Sequence, residues 1–245
     1  MFDALHLSAT DFAWILLSVV VGALVQGSIG FGLNLIVVPV AAWLRPDSLP
    51  STMILMSLPL TAGSALRESA HIDRSGVLWT TIGRLPGVAL GAWVVAVLEP
   101  DALATLIGGI VVVSALLSVL APEIPISRGS AAGVGLIAGA MGTASSIGGP
   151  PIALLYQYAR GPVLRSTLGA SFFLGSLLSL AALAVAGELA GWQIALAIAL
   201  TPGVALGLHL SRYLHAWLDA GWLRPAVLGL CALAGLGVLL RGAFG

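Results

Sequence analysis

Charged residues fence the chain into long stretches that carry no charge at all. With Asp, Glu, Lys and Arg as fence posts, eight blocks appear: 12–44, 48–66, 85–98, 102–122, 129–159, 166–187, 189–211 and 225–240. The third extends to 75–98 if the single Arg84 is admitted. One crossing of a bilayer's hydrocarbon core takes ~20 mostly apolar residues. Lipid offers the backbone no hydrogen-bonding partner, so such blocks are helical. The pattern predicts an all-α polytopic membrane protein. Function is then confined to moving, sensing or processing something at a membrane.

Two blocks have an awkward length. Block 12–44 has 33 residues, ~50 Å as one helix at 1.5 Å per residue, against a hydrocarbon core of ~30 Å. Its middle reads Gly27-Ser28-Ile29-Gly30-Phe31-Gly32, and glycines weaken a helix. Block 129–159 has 31 residues and carries Gly139, Gly142, Gly148, Gly149, Pro150 and Pro151. The two prolines lack N–H donors and disfavour helix just before them. Either block reads as two half-helices meeting at a broken tip, or as one long kinked helix.

The two halves of the chain also repeat. Pro86-Gly87-Val88-Ala89-Leu90-Gly91 recurs as Pro202-Gly203-Val204-Ala205-Leu206-Gly207, at an offset of 116. Ile29-Gly30 matches Ile147-Gly148 at an offset of 118. Two anchors in one order predict a duplicated four-block unit, repeat 1 over about 12–122 and repeat 2 over about 129–241. Repeats of this kind typify secondary transporters, whose sites lie where the repeats meet.

Arginine placement separates the two readings of the long blocks. If each is a re-entrant hairpin, seven loop arginines fall on one side (Arg67, Arg74, Arg128, Arg160, Arg165, Arg212 and Arg224) and two, Arg45 and Arg241, on the other. If each crosses once, the split is four to five. Cytoplasmic loops carry an excess of basic residues, which favours the hairpins. Each repeat then has a broken first segment and three transmembrane helices, the repeats are inverted, and both termini lie outside the cytoplasm.

Composition narrows the picture further. The chain has 245 residues, 59% of them hydrophobic and 8% charged, with mean hydropathy +1.07; this is one membrane domain. Net charge is zero, which gives no sign of a nucleic-acid partner. All ten basic residues are Arg. No Lys or Arg precedes Arg45, so the first segment reads as retained rather than cleaved. Cys231 reads as a small buried hydrophobe. His6, His71, His209 and His215 are scattered, and no Cys/His cluster exists. No metal, cofactor or catalytic residue is expected, and homo-oligomerisation is left open.

Gly-x-Ile-Gly-Phe-Gly leading to Pro39, answered by Ser146-Ile147-Gly148-Gly149-Pro150-Pro151, resembles the sulfite exporter TauE/SafE family of membrane transporters. The resemblance spans the whole chain. It implies movement of sulfite, organosulfonates or other small anions across a bacterial inner membrane. The chain departs from the family pattern in Leu33-Asn34, where further glycine is expected, and in its Pro150-Pro151 pair.

A broken helix presents N–H groups and partial positive charge at each half-helix N-terminus, which suits an anion. Around the first break the candidate binding residues are Gln26, Ser28, Gly30, Gly32 and Asn34. Around the second they are Thr143, Ser145, Ser146, Gly148 and Gly149. The bland reading of the polar ones is capping of freed backbone. Tyr156, Gln157 and Tyr158 read as interface anchors. Arg84 is the only charge well inside a block, at a cost of ~2.5–3.5 kcal/mol on an insertion scale, and Leu200 takes its place in the other half. It either pairs with a substrate anion or snorkels to an interface. No block contains Asp or Glu, so a carboxylate relay or a cation site is not expected. His209 reads as a hydrogen-bonded structural residue or a proton carrier. A negative interior favours anion exit by ~2.3 kcal/mol per charge per 100 mV, which points to export by alternating access. The competing classes are an intramembrane enzyme, which lacks a nucleophile–base pair, and a non-transporting scaffold, which would not explain paired breaks.

Overall fold

The computed structural model describes residues 7–67, 69–120, 124–218, 229, 233 and 235–240. Cys231, His6, Arg224 and Arg241 lie outside them. Among the described residues all regular structure is helical. The helices are α1 (Ala9–Ile29), α2 (Leu33–Leu44), α3 (Ser51–Arg67), α4 (Arg74–Val97), α5 (Pro100–Leu120), α6 (Arg128–Ser145), α7 (Gly149–Leu155), α8 (Gly161–Val185) and α9 (Gly191–Leu218). Residues 235–240 are also helical. Local chemistry sets several starts: the Ser8 and Asp73 side chains accept from backbone N–H groups of Asp11 and Gly76, and Ser127 and Ser130 form a reciprocal capping box.

Five helices are long and apolar enough to cross a membrane: α1, α4, α5, α8 and α9. Helix α3, with 17 residues, spans ~26 Å at 1.5 Å per residue and runs antiparallel to α8. Its Ser51 Oγ donates to Glu188 O at one end, and Ser64 and Ala65 press on Gly169 towards the other.

Both long blocks break where the glycines are. Helix α1 ends at Gly30, whose left-handed backbone (φ 98°) lets its N–H close on Gln26 O. Gly32 (φ 128°) then turns the chain, and Leu33 comes back against Gly22. Helix α6 ends at Ser146, a non-glycine residue with φ 60°. The chain folds back so that Gly148 lies against Ala138 and Gly142. The arms are unequal. Helix α1 alone has 21 residues and α2 has 12; α6 has 18 and α7 has 7.

Neighbouring contacts show that both blocks return to the end they started from. Along α4 and α6 the residue numbers rise together: Thr80 meets Gly135, Gly87 meets Leu136, and Gly91 meets Ala140 and Ala144. The two helices are therefore parallel, with Arg128 over the Trp79 ring near their shared start. Tyr156, at the end of α7, donates its hydroxyl to Asp73, the N-cap of α4. The second block thus leaves where it entered. Helices α1 and α9 are parallel by the same test, with Gly203 on Leu16, Gly207 on Val20 and Gly27 on Ser211. The exit of α2 is tied to the start of α9, because Gln193 Nε2 donates to Asp47 O and Arg45 lies over Trp192.

Among the described residues, Arg67, Arg74, Arg128, Arg160, Arg165 and Arg212 gather at one end of the bundle and Arg45 at the other. The duplicated hexapeptide explains the tightest packing. Gly91 abuts Ala140 O, Thr143 Cβ and Ala144 N; Gly207 abuts Val20 O, Ala23 Cβ and Leu24 N. The same three atom types recur at positions i, i+3 and i+4. Each copy of the motif packs on the first arm of the other half's broken block. A β-carbon at either glycine would overlap the opposing backbone, so small residues let the helices approach this closely.

Overpacking typically costs about 1–3 kcal/mol, and here the obstacle is backbone rather than a movable side chain. Gly91→Leu and Gly207→Leu should each lower the thermal midpoint of the detergent-solubilised protein markedly. Gly133→Leu, at a position with open space around it, should leave it close to wild type. Equal midpoints for all three variants would contradict the packing.

Candidate functional site

The two breaks meet. Asn34, in the first turn of α2, donates from Nδ2 to Ser146 O in the second break at 2.9 Å. Gly149 lies in van der Waals reach of Phe31. Between the breaks sits a cavity of about 70 Å³. The middle of α3 supplies Ser57 and Thr61 to its wall, α4 supplies Arg84, and α8 supplies Phe172, Gly175, Ser176 and Ser179. Helices α3, α4 and α8 bound it near mid-length, and α1, α2, α6 and α7 bound it at their broken ends.

Backbone freed at the breaks is held by side chains. Leu33 N donates to Gln26 Oε1 at 2.9 Å, and Ile147 N to Ser145 Oγ at 3.2 Å. Gly32, Asn34 and Leu35 at the start of α2 line the cavity, so the helix's partial positive end faces it. The second break offers fewer donors, because Pro150 and Pro151 open α7 without N–H groups.

Arg84 is the one ionisable residue in the wall. It is only 5% exposed, so it does not snorkel. Its guanidinium lies over Gly175 and beside Gly148. Nη1 donates to Ser171 O at 2.8 Å, while Nε is buried without a partner. Among the described residues no carboxylate lines the cavity. An arginine so placed carries an uncompensated charge in a low-dielectric interior, an arrangement that favours an incoming anion.

Of the residues expected from sequence, Gln26, Gly32, Asn34, Arg84, Ser146, Gly148 and Gly149 line this cavity. Four stand elsewhere. Ser28 Oγ bonds its own helix at Leu24 O. Gly30 turns α1 against Arg165. Thr143 pairs with Ser179 through their hydroxyls at 2.7 Å, and Ser145 caps the break. Tyr156 is not an interface anchor: it is fully buried on Asp73, whereas Tyr158 is exposed. His209 is exposed, edge-on to Tyr213 and away from the cavity.

Ser57, Thr61, Ser176 and Ser179 were missed by the sequence reading. Their signal was there, as small polar residues three or four apart in otherwise apolar helices, which places each pair on one face. Ser57 and Thr61 bond carbonyls of their own helix, the habit that makes such residues look merely structural.

No curated protein sequence matches the chain, and no solved structure does. The sequence model described as Sulfite exporter TauE/SafE matches residues 14–238. That range takes in both breaks, Arg84 and every cavity-lining residue named above. The chain belongs to the sulfite exporter TauE/SafE family of membrane transporters.

Proposed function

We propose that this chain carries small oxyanions, sulfite or organosulfonates, out of the cell by alternating access at the cavity between the two broken helices. The observation that carries the reading is Arg84, a buried guanidinium with an unpartnered Nε and no carboxylate among the cavity-lining residues. A permanent cation held this way by a structural need alone would gain from a carboxylate neighbour or a neutral replacement. A transported anion supplies the missing charge only while bound. Exit down the membrane potential needs no coupling ion.

The matched packing of Gly91 and Gly207 supports two inverted repeats, about 12–122 and 129–241. By the excess of basic residues in cytoplasmic loops, the end holding Arg67, Arg74, Arg128, Arg160, Arg165 and Arg212 faces the cytoplasm of a bacterial inner membrane. The substrate enters the cavity from that side.

Two measurements test this. In a Cys231→Ser background, single cysteines at Asp47 and Gly187 should react with a membrane-impermeant maleimide added to intact cells, and cysteines at Ser69 and Ser127 should react only after lysis. The reverse pattern would invert the orientation and remove the case for export. In proteoliposomes at matched protein levels, Arg84→Gln should lower sulfite flux by about tenfold or more, the scale of a lost charge-assisted contact. Arg84→Lys should keep part of the flux, since a point charge survives without the guanidinium fork. Wild-type flux in Arg84→Gln would take Arg84 out of the site.

A further inference from the structure

We infer that the cavity selects singly charged oxyanions that also donate a hydrogen bond, with Asn34 as the residue that enforces the second requirement; this rests on the anion-transport reading above. Two observations carry it. The first is a charge count. Among the described residues Arg84 is the only ionisable group in the wall, and the N-terminus of α2 adds roughly half a charge at most. A dianion in this site would keep an uncompensated negative charge away from water, which is strongly unfavourable. A monoanion is balanced.

The second is the pair of unfilled polar atoms. Ser146 O is a carbonyl and can only accept, so the Asn34 atom bonded to it is the amide nitrogen. The other atom, Oδ1, is therefore an acceptor, and it is buried with no partner. Arg84 Nε is a donor in the same condition. Several nearby hydroxyl protons are committed: Ser57 and Thr61 donate to their own helix, and one proton of the Thr143–Ser179 pair lies between its two oxygens. Among the wall's fully buried side-chain atoms, those left without a partner are thus one donor on a cation and one acceptor on a neutral amide. A ligand answering both has an anionic oxygen for Arg84 and an X–H group for Asn34. Hydrogensulfite fits, as does an alkanesulfonate with a hydroxyl group on the adjoining carbon. Doubly charged sulfite and a plain alkanesulfonate do not, because each leaves Asn34 Oδ1 bare. It follows that any proton crossing with the substrate rides on the substrate itself, as the wall contains no Asp, Glu or His among the described residues.

Anions of fixed charge test this without changing pH. Proteoliposomes holding the wild-type protein are given hydroxymethanesulfonate, methanesulfonate or the dianion thiosulfate, each well below saturation. Hydroxymethanesulfonate should enter about tenfold faster than methanesulfonate, the scale of one buried acceptor satisfied rather than left bare. Thiosulfate should be slower than both. In Asn34→Leu the ratio of the two sulfonates should fall to about one, whatever the absolute flux. Asn34→Ala, which removes the acceptor without adding bulk, should lower the ratio in the same direction. Equal wild-type rates for the two sulfonates, thiosulfate flux matching theirs, or an unchanged ratio in both Asn34 variants would overturn the proposal while leaving anion transport in place. No flux of any anion by the wild type would overturn the transport reading and this proposal with it.

Discussion

Interrupting a helix inside a bilayer frees backbone groups that lipid cannot satisfy, and this chain does it twice. Such backbone persists only where protein covers it or where it lines a cavity. The two breaks meet the condition together. Asn34 reaches across to the carbonyl of Ser146, Gln26 holds the first amide of α2, and Ser145 holds the amide of Ile147. What remains open between them is the cavity. The site is thus what is left when two defects are sealed against each other, and the other helices are arranged to keep it so.

Keeping it so requires close helix contact, which the repeated hexapeptide supplies. In lipid there is little hydrophobic force between apolar helices, so van der Waals contact between backbones matters more. Gly91 and Gly207 bring α4 against α6 and α9 against α1, each with the same three opposing atoms. Because each motif holds the first arm of the other half's break, neither half positions its own break alone. The second break adds strain: Ser146 sits in the left-handed region, where a non-glycine residue costs of order 1–3 kcal/mol. That conformation also presents its carbonyl to Asn34.

The chain's architecture was readable because membrane physics acts through composition. Charge-free blocks gave the helices, glycine and proline gave the breaks at 30–32 and 146–148, and the arginine split pointed to the fold-back that the contacts around Asp73 and Asp47 display. The outer ends of the arms were less readable: α1 begins at Ala9, ahead of its charge-free block, because Ser8 caps it, and α7 stops at Leu155, short of the end of its own block. The site was readable where a residue broke a rule, as Arg84 and Asn34 do. It was opaque where a residue obeyed one. Ser57, Thr61, Ser176 and Ser179 are ordinary small polar residues on apolar helices, and only the tertiary arrangement turns them inward. Tyr156 was misread for a related reason: its partner Asp73 lies 83 positions away.

The asymmetry between the halves has its own logic. Arg84 in α4 corresponds, at the hexapeptide's offset of 116, to Leu200 in α9, and both side chains are buried. A second arginine at Leu200 would add another buried cation in the same bundle, and neither repeat has a carboxylate within its apolar blocks to answer it. With one arginine the cost of a buried charge is borne once, and Nη1 rests on Ser171 O while Nε stays free. Lysine would carry the same charge but would concentrate it on a strongly hydrated ammonium, which is harder to keep dry. A guanidinium can remain anchored through one nitrogen and still offer another. The packing can be near-symmetric because helices and breaks are neutral; the charge is not, because a second buried cation would double the cost of burial.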